Sequence, residues 1–205
     1  MDNYRMLVLI QAALLAFQSI CYFGCQYIQK NPRNVEGPRD ERIPLKSGWI
    51  IAYITWFPLI ALFPVVLYGY SQEVYNIHIY AVLINIVLSC IIYVAYPTTM
   101  RRPAVTGDGI SDKLLRLVYR CDARGLNCCP SMHCSMCFLM MVSAVQAVLL
   151  PGCIKAVVIA LSSLIVVSTL FTKQHSVIDV KMALFMALLC RLLAEVIANR
   201  CGLVV

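Results

Sequence analysis

The chain has 205 residues, of which 61% are hydrophobic and only 13% are charged. A water-soluble domain is about half apolar and about a quarter charged, so this composition excludes an ordinary soluble fold and indicates a chain that folds in lipid. The net charge of +7 lies almost entirely in the loops, where basic residues set topology or contact lipid head groups, and no nucleic-acid partner is expected.

Six apolar segments are each long enough to cross a bilayer, which requires about 20 helical residues. The sequence therefore predicts an all-α fold, a polytopic six-transmembrane-helix bundle that forms a single membrane domain over residues 1–205. The first segment is too long for the core of a signal peptide, so it is interpreted as the first span. In chain order, the predicted spans are residues 6–28, 49–70, 76–96, 133–150, 153–172 and 178–198.

The large polar loops all fall on one side of the predicted bundle. With six spans, residues 29–48, 97–132 and 173–177 share that side, and the other side has only short turns. Within the second loop, residues 111–120 mix leucine and valine with lysine and arginine, which predicts a short helix at the membrane interface. Polar chemistry is therefore expected at one membrane face.

Most of the 11 cysteines lie in apolar segments, where free cysteine behaves as a small hydrophobic residue. Cys121, Cys128 and Cys129 lie in the second large loop and would form a disulfide if that loop faced an oxidising compartment. No combination of cysteine and histidine has the spacing of zinc ligands, so neither a metal nor another cofactor is expected.

Two of the three histidines, His133 and His175, fall at predicted helix ends on the side of the large loops. His175 and Asp179 are four residues apart and share a helix face, where a carboxylate can fix the imidazole tautomer and free the other nitrogen for attack. Many helices contain this pattern, so the pair alone is a weak signal of a catalytic site. The segments on the same side of the bundle strengthen that interpretation.

The start of the fourth span predicts an anion site. Ser131 follows a proline and precedes an apolar run, which is typical of a helix N-terminus with free N–H groups. His133 in the first turn would act as a general acid for a leaving oxygen. Arg102 would bind a phosphate through two hydrogen bonds, and Lys173 and Arg101 would add positive charge.

Each of these segments also has a simpler structural explanation, as a helix cap or an interfacial anchor. Their combination supplies an anion clamp, a nucleophile with an orienting carboxylate, and an acid for the leaving group. This is the set of groups that phosphoryl transfer through a covalent phosphohistidine requires.

In these features the chain resembles the type 2 phosphatidic acid phosphatase superfamily, over about residues 76–185. That family has a three-part signature: Lys-x6-Arg-Pro, Pro-Ser-Gly-His and Ser-Arg-x5-His-x3-Asp. The corresponding residues are Arg102-Pro103, Pro130-Ser131-Met132-His133, and Ser168-Thr169 followed by His175 and Asp179. The resemblance implies that His175 is the nucleophile, that Asp179 orients it and that His133 protonates the leaving group.

The chain departs from this signature at three positions. The lysine of the first part is replaced by Ala95, the glycine of the second by Met132, and the arginine of the third by Thr169. Two of the family's phosphate-binding cations are therefore absent. Lys173 and Arg101 are expected to compensate from other positions, beside Arg102 and Ser131.

The segment STLFTKQHSVIDV is similar to the branch that includes inositol phosphorylceramide synthases and sphingomyelin synthases, which transfer a head group to another lipid. The sequence therefore predicts a metal-independent lipid phosphate phosphatase. One alternative is a lipid phosphotransferase that uses an alcohol or sphingolipid acceptor. A second is a non-catalytic lipid-binding or transport protein. In each case the partner is a lipid phosphate or phospholipid in the bilayer.

The orientation in the membrane follows from the distribution of positive charge. The side of the large loops has 13 of the 17 lysines and arginines, so the positive-inside rule favours a cytoplasmic site. The resemblance also leaves the outer face open, since many members of the family have their site there.

Overall fold

The computed structural model of the protein describes residues 2–200, and these residues are mostly helical. The helices are α1 (Asp2–Ile28), α2 (Pro38–Glu41), α3 (Ile50–Ile54), α4 (Trp56–Tyr70), α5 (Gln72–Ala95), α6 (Ile110–Cys121), α7 (Met132–Gln146), α8 (Gly152–Phe171) and α9 (Val177–Arg200). One 3-10 turn covers Ser47–Trp49, and two short parallel strands, β1 (Arg33–Asn34) and β2 (Thr98–Thr99), pair with each other.

Within the described residues, four helical segments are long and apolar enough to cross a membrane. They are Tyr4–Ile28, Ser47–Tyr70, Gln72–Ala95 and Gly152–Phe171. The coarse prediction, a mostly helical protein with several helices able to span a membrane, is confirmed. The other two predicted spans are also helical but do not meet this criterion, so the predicted count of six spans is not confirmed. The 15 residues of α7 extend only about 22 Å, and α9 carries several charged residues.

The second predicted span is interrupted near its start, at Thr55 between α3 and α4. The Thr55 hydroxyl donates a hydrogen bond to the carbonyl of Ala52 at 2.7 Å, a side-chain contact that commonly bends helices. Tyr53 and Trp56, on either side of the interruption, are both almost completely buried. The interruption therefore directs two aromatic side chains inward from consecutive short helices.

The centre of the bundle consists of α5, α7, α8 and α9 packed against one another. α9 presents fully buried alanines, including Ala183, Ala187 and Ala194, which allow close approach of the neighbouring helix backbones. Large apolar side chains such as Ile20 and Phe185 are exposed on the outside. A contiguous apolar exterior is costly in water and is the surface that a bilayer would cover.

The three large loops meet at one end of the bundle, as predicted, and this end is called the loop end below. β1 joins the first loop to the second. The Lys46 amide donates to the carbonyl of Phe171, and the Tyr119 hydroxyl donates to the carbonyl of Thr172. The short helix predicted over residues 111–120 is present as α6, and its Leu115 is fully buried. The loops therefore form a packed layer over one end of the helices.

Two exposed cysteines provide a test of whether the two ends of the bundle lie on opposite sides of the membrane. Cys121 ends α6 at the loop end, whereas Cys153 lies in the first turn of α8, a 20-residue helix that reaches the loop end only at Phe171. In sealed vesicles, a membrane-impermeant maleimide should modify one of these two thiols, and permeabilisation should expose the other. Peptide mass spectrometry identifies the labelled site, with Cys121→Ser and Cys153→Ser as controls. Labelling of both in sealed vesicles would contradict the arrangement.

Candidate functional site

His175 lies in the turn between α8 and α9 and is 5% exposed. Its Nδ1 is 3.0 Å from the backbone carbonyl oxygen of Cys128. A carbonyl oxygen can only accept a hydrogen bond, so this contact requires the proton on Nδ1 and leaves the lone pair on Nε2. The loop that contains Cys128 thereby selects the tautomer that a nucleophilic imidazole needs.

The turn that carries His175 has a locked backbone. The carbonyl of Thr169 accepts hydrogen bonds from the amides of both Gln174 and His175, at 2.9 and 3.2 Å. Lys173 adopts a left-handed conformation with φ of 52°, which is the usual way to end a helix but is costly for a residue with a side chain. Helix α8 therefore ends in a fixed backbone geometry, which sets the directions of the Gln174 and His175 side chains.

Asp179 is completely buried in the first turn of α9, and the Oδ2 atom of its carboxylate has two contacts. Its Oδ2 accepts a hydrogen bond from the Ser176 amide at 2.7 Å, which caps the helix, and lies 3.6 Å from His175 Nδ1. The predicted pair is thus brought together, but at a distance longer than a hydrogen bond. The carboxylate acts on the ring mainly through its charge, and the Cys128 carbonyl makes the orienting contact.

His133 lies in the first turn of α7, and its ring centroid is 5.9 Å from that of His175. The two histidines, which were predicted to lie on the same side of the bundle, are therefore neighbours, although 41 residues separate them in the sequence. The Nε2 of His133 is 3.0 Å from the hydroxyl of Tyr53, and the ring packs against Trp56. These contacts hold the imidazole between α7 and the α3–α4 interruption.

Ser131 is the N-cap of α7, so the predicted helix start is confirmed. Its hydroxyl oxygen accepts a hydrogen bond from the amide of Cys134 at 3.2 Å, and its own amide contacts the carbonyl of Asp179 at 3.4 Å. The hydroxyl proton is free of the capping role and remains available for a donor contact. Ser131 therefore joins the start of α7 to the start of α9, next to both histidines.

Arg102 is largely buried and forms an ion pair with Asp122, with 2.6 Å between Nη2 and Oδ2. The same Nη2 donates to Gln174 Oε1 at 2.9 Å, and the guanidinium lies over the ring of Tyr119. Burial disfavours the charged form, but the adjacent Asp122 carboxylate outweighs it and raises the pKa of Arg102. The cation predicted to bind phosphate is present, but a carboxylate already neutralises it.

Lys173 and Arg101 are engaged elsewhere. The ammonium of Lys173 donates a 2.7 Å hydrogen bond to the backbone carbonyl of Asp40, in the first large loop. The Arg101 side chain is exposed, and its amide donates to Glu36. Within residues 2–200, neither side chain has a recorded contact with His133 or His175. Sequence spacing does not reveal this because the acceptor of Lys173 lies 133 residues away.

Four groups at the site were missed by the sequence analysis. They are the Tyr53 hydroxyl, the Cys128 carbonyl, the Gln174 amide and the Asp122 carboxylate. Gln174 directly precedes His175, and Asp122 is an acid in a basic loop, so both offered a weak signal. Nothing in the sequence distinguishes Tyr53 from other interfacial tyrosines, and a backbone carbonyl has no sequence signal.

A cavity of about 290 Å³ opens beside His133. Its polar lining includes Gln174 and Asp122, and its walls are mostly apolar side chains from α1, α3, α4 and α6. Two of these walls, α1 and α4, belong to helices able to span the membrane. The cavity therefore connects His133, the neighbour of His175, to an apolar space between helices, which suits an amphipathic ligand.

The loop cysteines form no disulfide. Cys121, Cys128 and Cys129 are all free. Burial, followed by the nearby Asp179 carboxylate, raises the pKa of Cys129 to about 12, and the same two causes raise the pKa of Cys128 further. Both thiols are therefore protonated at neutral pH and are poor nucleophiles. The imidazole of His175 is therefore a better candidate nucleophile than either of these thiols.

No family model, curated protein or solved structure matches the chain. The function of the site is therefore inferred from the geometry and charges described above.

The Arg102–Asp122 pair gives a testable expectation for stability. Arg102→Met leaves the Asp122 carboxylate largely buried without its cation, so the free energy of unfolding should fall by about 2–3 kcal/mol. The adjacent Arg101→Met, at an exposed position, should change it by less than about 0.5 kcal/mol. Denaturant titration in detergent micelles measures both. Equal effects would show that the ion pair does not stabilise the fold.

Proposed function

We propose that the protein removes the phosphoryl group from a lipid phosphate through a phosphohistidine at His175, as a metal-independent lipid phosphate phosphatase. One observation carries the proposal. The tautomer of His175 is fixed by the Cys128 carbonyl, with a second histidine, His133, 5.9 Å away between ring centroids at the edge of a largely apolar cavity. The resemblance to the type 2 phosphatidic acid phosphatases assigns the same roles to the same two residues.

In the first step, the lone pair on Nε2 of His175 attacks phosphorus as the bond to the lipid oxygen breaks. Burial and then the adjacent His175 lower the pKa of His133 to about 3, and the negative charge of the bound phosphate counteracts both and favours the protonated ring. His133 in this form donates a proton to the leaving oxygen, and the lipid alcohol leaves. The ring of His175 then carries positive charge, which the Asp179 carboxylate 3.6 Å away stabilises. Asp179 contributes to this step through its charge, without accepting the proton.

In the second step, water attacks the phosphorus of the phosphohistidine. His133, now neutral, accepts a proton from the water, and the N–P bond breaks to release phosphate and restore the Nε2 lone pair. The same histidine thus acts as acid and then as base, which requires it to be near both leaving group and water. The Tyr53 hydroxyl, 3.0 Å from His133 Nε2, holds the ring in one position through both steps.

The substrate is bound in two parts. The apolar walls of the cavity accept the part of the lipid next to the head group, and the tails remain among the helices. The N-terminus of α7 and the Ser131 hydroxyl bind the phosphate. The basic loops around this end favour the cytoplasmic face.

A second candidate function, lipid phosphotransfer, is favoured by burial at the site. His175 is only 5% exposed, and the adjoining cavity has mostly apolar walls. An alcohol or sphingolipid held in that cavity would reach the phosphohistidine more readily than bulk water. The first step is identical, and the two functions differ only in the acceptor of the second step.

Phosphate release without added metal tests the proposal directly. Purified protein should release phosphate from one or more of a panel of lipid phosphates and diphosphates. His175→Ala should lower the rate by about 10⁴-fold or more, because the nucleophile is lost. His133→Ala should lower it by about 10²- to 10⁴-fold, as expected for a general acid.

The matched control is His78→Gln. His78 is the remaining histidine, buried against Ser143 away from the loop end, and its replacement should leave the rate unchanged. Full turnover by His175→Ala would end the proposal. If wild type releases no phosphate from any lipid, phospholipid donors with alcohol acceptors test the transfer function, and failure of both would favour a non-catalytic lipid-binding or transport protein.

His175 Nδ1 contacts both the Cys128 carbonyl and the Asp179 carboxylate, and Asp179→Asn distinguishes the contribution of one from that of the other. Asparagine keeps an acceptor for the Ser176 amide, and the Cys128 carbonyl still fixes the tautomer. The rate should therefore fall by only about 10- to 100-fold, compared with about 10⁴ where a carboxylate alone selects the tautomer. Turnover measurements at fixed pH give this comparison. A loss as large as that of His175→Ala would mean that the carboxylate is the orienting group.

A further inference from the structure

Gln174 has an unusual environment for a neutral side chain. It is 4% exposed, directly precedes His175 and lines the cavity beside His133. Its Nε2 is completely buried and has no hydrogen-bond partner within residues 2–200. An unpaired buried amide donor costs about 1–3 kcal/mol, so such a group persists where a ligand can satisfy it.

The orientation of this amide follows from its partner. Gln174 Oε1 accepts a hydrogen bond from Nη2 of Arg102 at 2.9 Å, and a guanidinium can only donate. The oxygen must therefore face Arg102, and the nitrogen must be at the other end of the amide. Asp122 holds Arg102 in turn, at 2.6 Å, and is itself bonded by Gln26 at 2.8 Å. These contacts fix the direction of the donor.

The backbone adds a second constraint. The Gln174 amide N–H donates to the Thr169 carbonyl at 2.9 Å, in the same turn that holds His175. Backbone and side chain are thus both fixed before a ligand binds. A donor fixed in advance loses little entropy on binding and requires no rearrangement during reaction, which is the condition for electrostatic catalysis.

The charges at the loop end explain why a neutral donor is needed. The buried cations Arg102 and Lys173 are accompanied by the buried carboxylates Asp40, Asp122 and Asp179, so positive charge is not in excess. The family's phosphate-binding arginine is replaced by Thr169. An amide can supply a hydrogen bond to a phosphoryl oxygen without a further buried charge and its desolvation cost.

We propose that Gln174 is a catalytic residue whose Nε2 donates a hydrogen bond to a non-bridging oxygen of the transferring phosphoryl group, and that Arg102 positions this amide. The inference rests on the proposed function. It assigns Arg102 a positioning role in place of direct phosphate binding, and it identifies the group that offsets the missing family cations. The ligand chemistry is a phosphoryl group near the transition state for attack by His175.

Two substitutions separate the donor from its other contacts. Gln174→Glu keeps an acceptor for Arg102 but replaces the donor with an oxygen. Gln174→Met adds no charge but loses both. If Nε2 binds the phosphoryl group, each should lower kcat by about 10²-fold or more with little change in KM, as for the removal of an oxyanion donor. Gln146→Met, at the other end of the bundle, should match wild type.

Orthovanadate binding gives a readout that does not depend on turnover. Vanadate adopts the geometry of a transferring phosphoryl group, and its affinity is measured by the shift in melting temperature of the detergent-solubilised protein. Its Kd should rise at least about tenfold in both Gln174 variants. The loss of the unpaired donor itself should not lower the melting temperature without vanadate. Gln174→Met also loses the acceptor for Arg102, so its melting temperature should fall by the contribution of that one hydrogen bond.

The outcomes distinguish the inference from the proposed function. Weaker vanadate binding and lower kcat in both variants support the inference. A lower melting temperature with unchanged vanadate affinity would overturn it, because Gln174 would then be structural. Unchanged kcat in Gln174→Met would also overturn it, even if His175→Ala is inactive and the proposed function stands. If wild type has no turnover with any donor or acceptor, the proposed function fails, and the catalytic role of Gln174 fails with it.

Discussion

The buried ion pair between Arg102 and Asp122 joins the parts of the chain that make up the loop end. Asp122 accepts hydrogen bonds from Gln26 and Tyr22 of α1, and Arg102 donates to Gln174 beside His175. A charged pair buried this deeply is stable only when its remaining hydrogen-bonding capacity is satisfied. The first helix, the second loop and the α8–α9 turn therefore hold their positions together, and the walls of the cavity follow from them.

Backbone hydrogen bonds complete this framework. The carbonyl of Cys128 orients His175, the carbonyl of Thr169 fixes its turn, and the carbonyl of Asp40 binds the ammonium of Lys173. Inside this packed layer, buried polar backbone groups need protein partners because water does not reach them. The same requirement that organises the loops also selects the imidazole tautomer. Structure and proposed chemistry thus depend on one set of contacts.

Much of the fold was predictable because apolar segment length and helix-end residues are local signals. Helices cover the six apolar segments, although the second is broken at Thr55, and the cap at Ser131 and the helix α6 appear where the sequence indicates. The position of His133 and His175 on the same side of the bundle followed from topology alone. The span status of α7 and α9 was less predictable, because a short helix or a charged one can be buried among neighbours without crossing the bilayer alone.

The site was less predictable because its contacts join distant parts of the chain. Lys173 was expected to add positive charge near the phosphate, but its ammonium reaches the first loop. Arg102 was expected to bind the phosphate, but it is paired with Asp122. Charge in a sequence does not reveal which counter-charge folding brings near it. Gln174 was overlooked for the opposite reason, since a neutral amide gains significance only when its burial and its missing partner are known.

A covalent phosphohistidine is the central claim, and trapping it is the most direct measurement. The protein is mixed with a lipid phosphate radiolabelled at phosphorus, quenched in base, which preserves phosphohistidine, digested, and analysed by mass spectrometry. The account predicts acid-labile label on the peptide that contains His175, and no label in His175→Asn. Label on a cysteine, serine or aspartate, or turnover with no covalent label at any quench time, would contradict it.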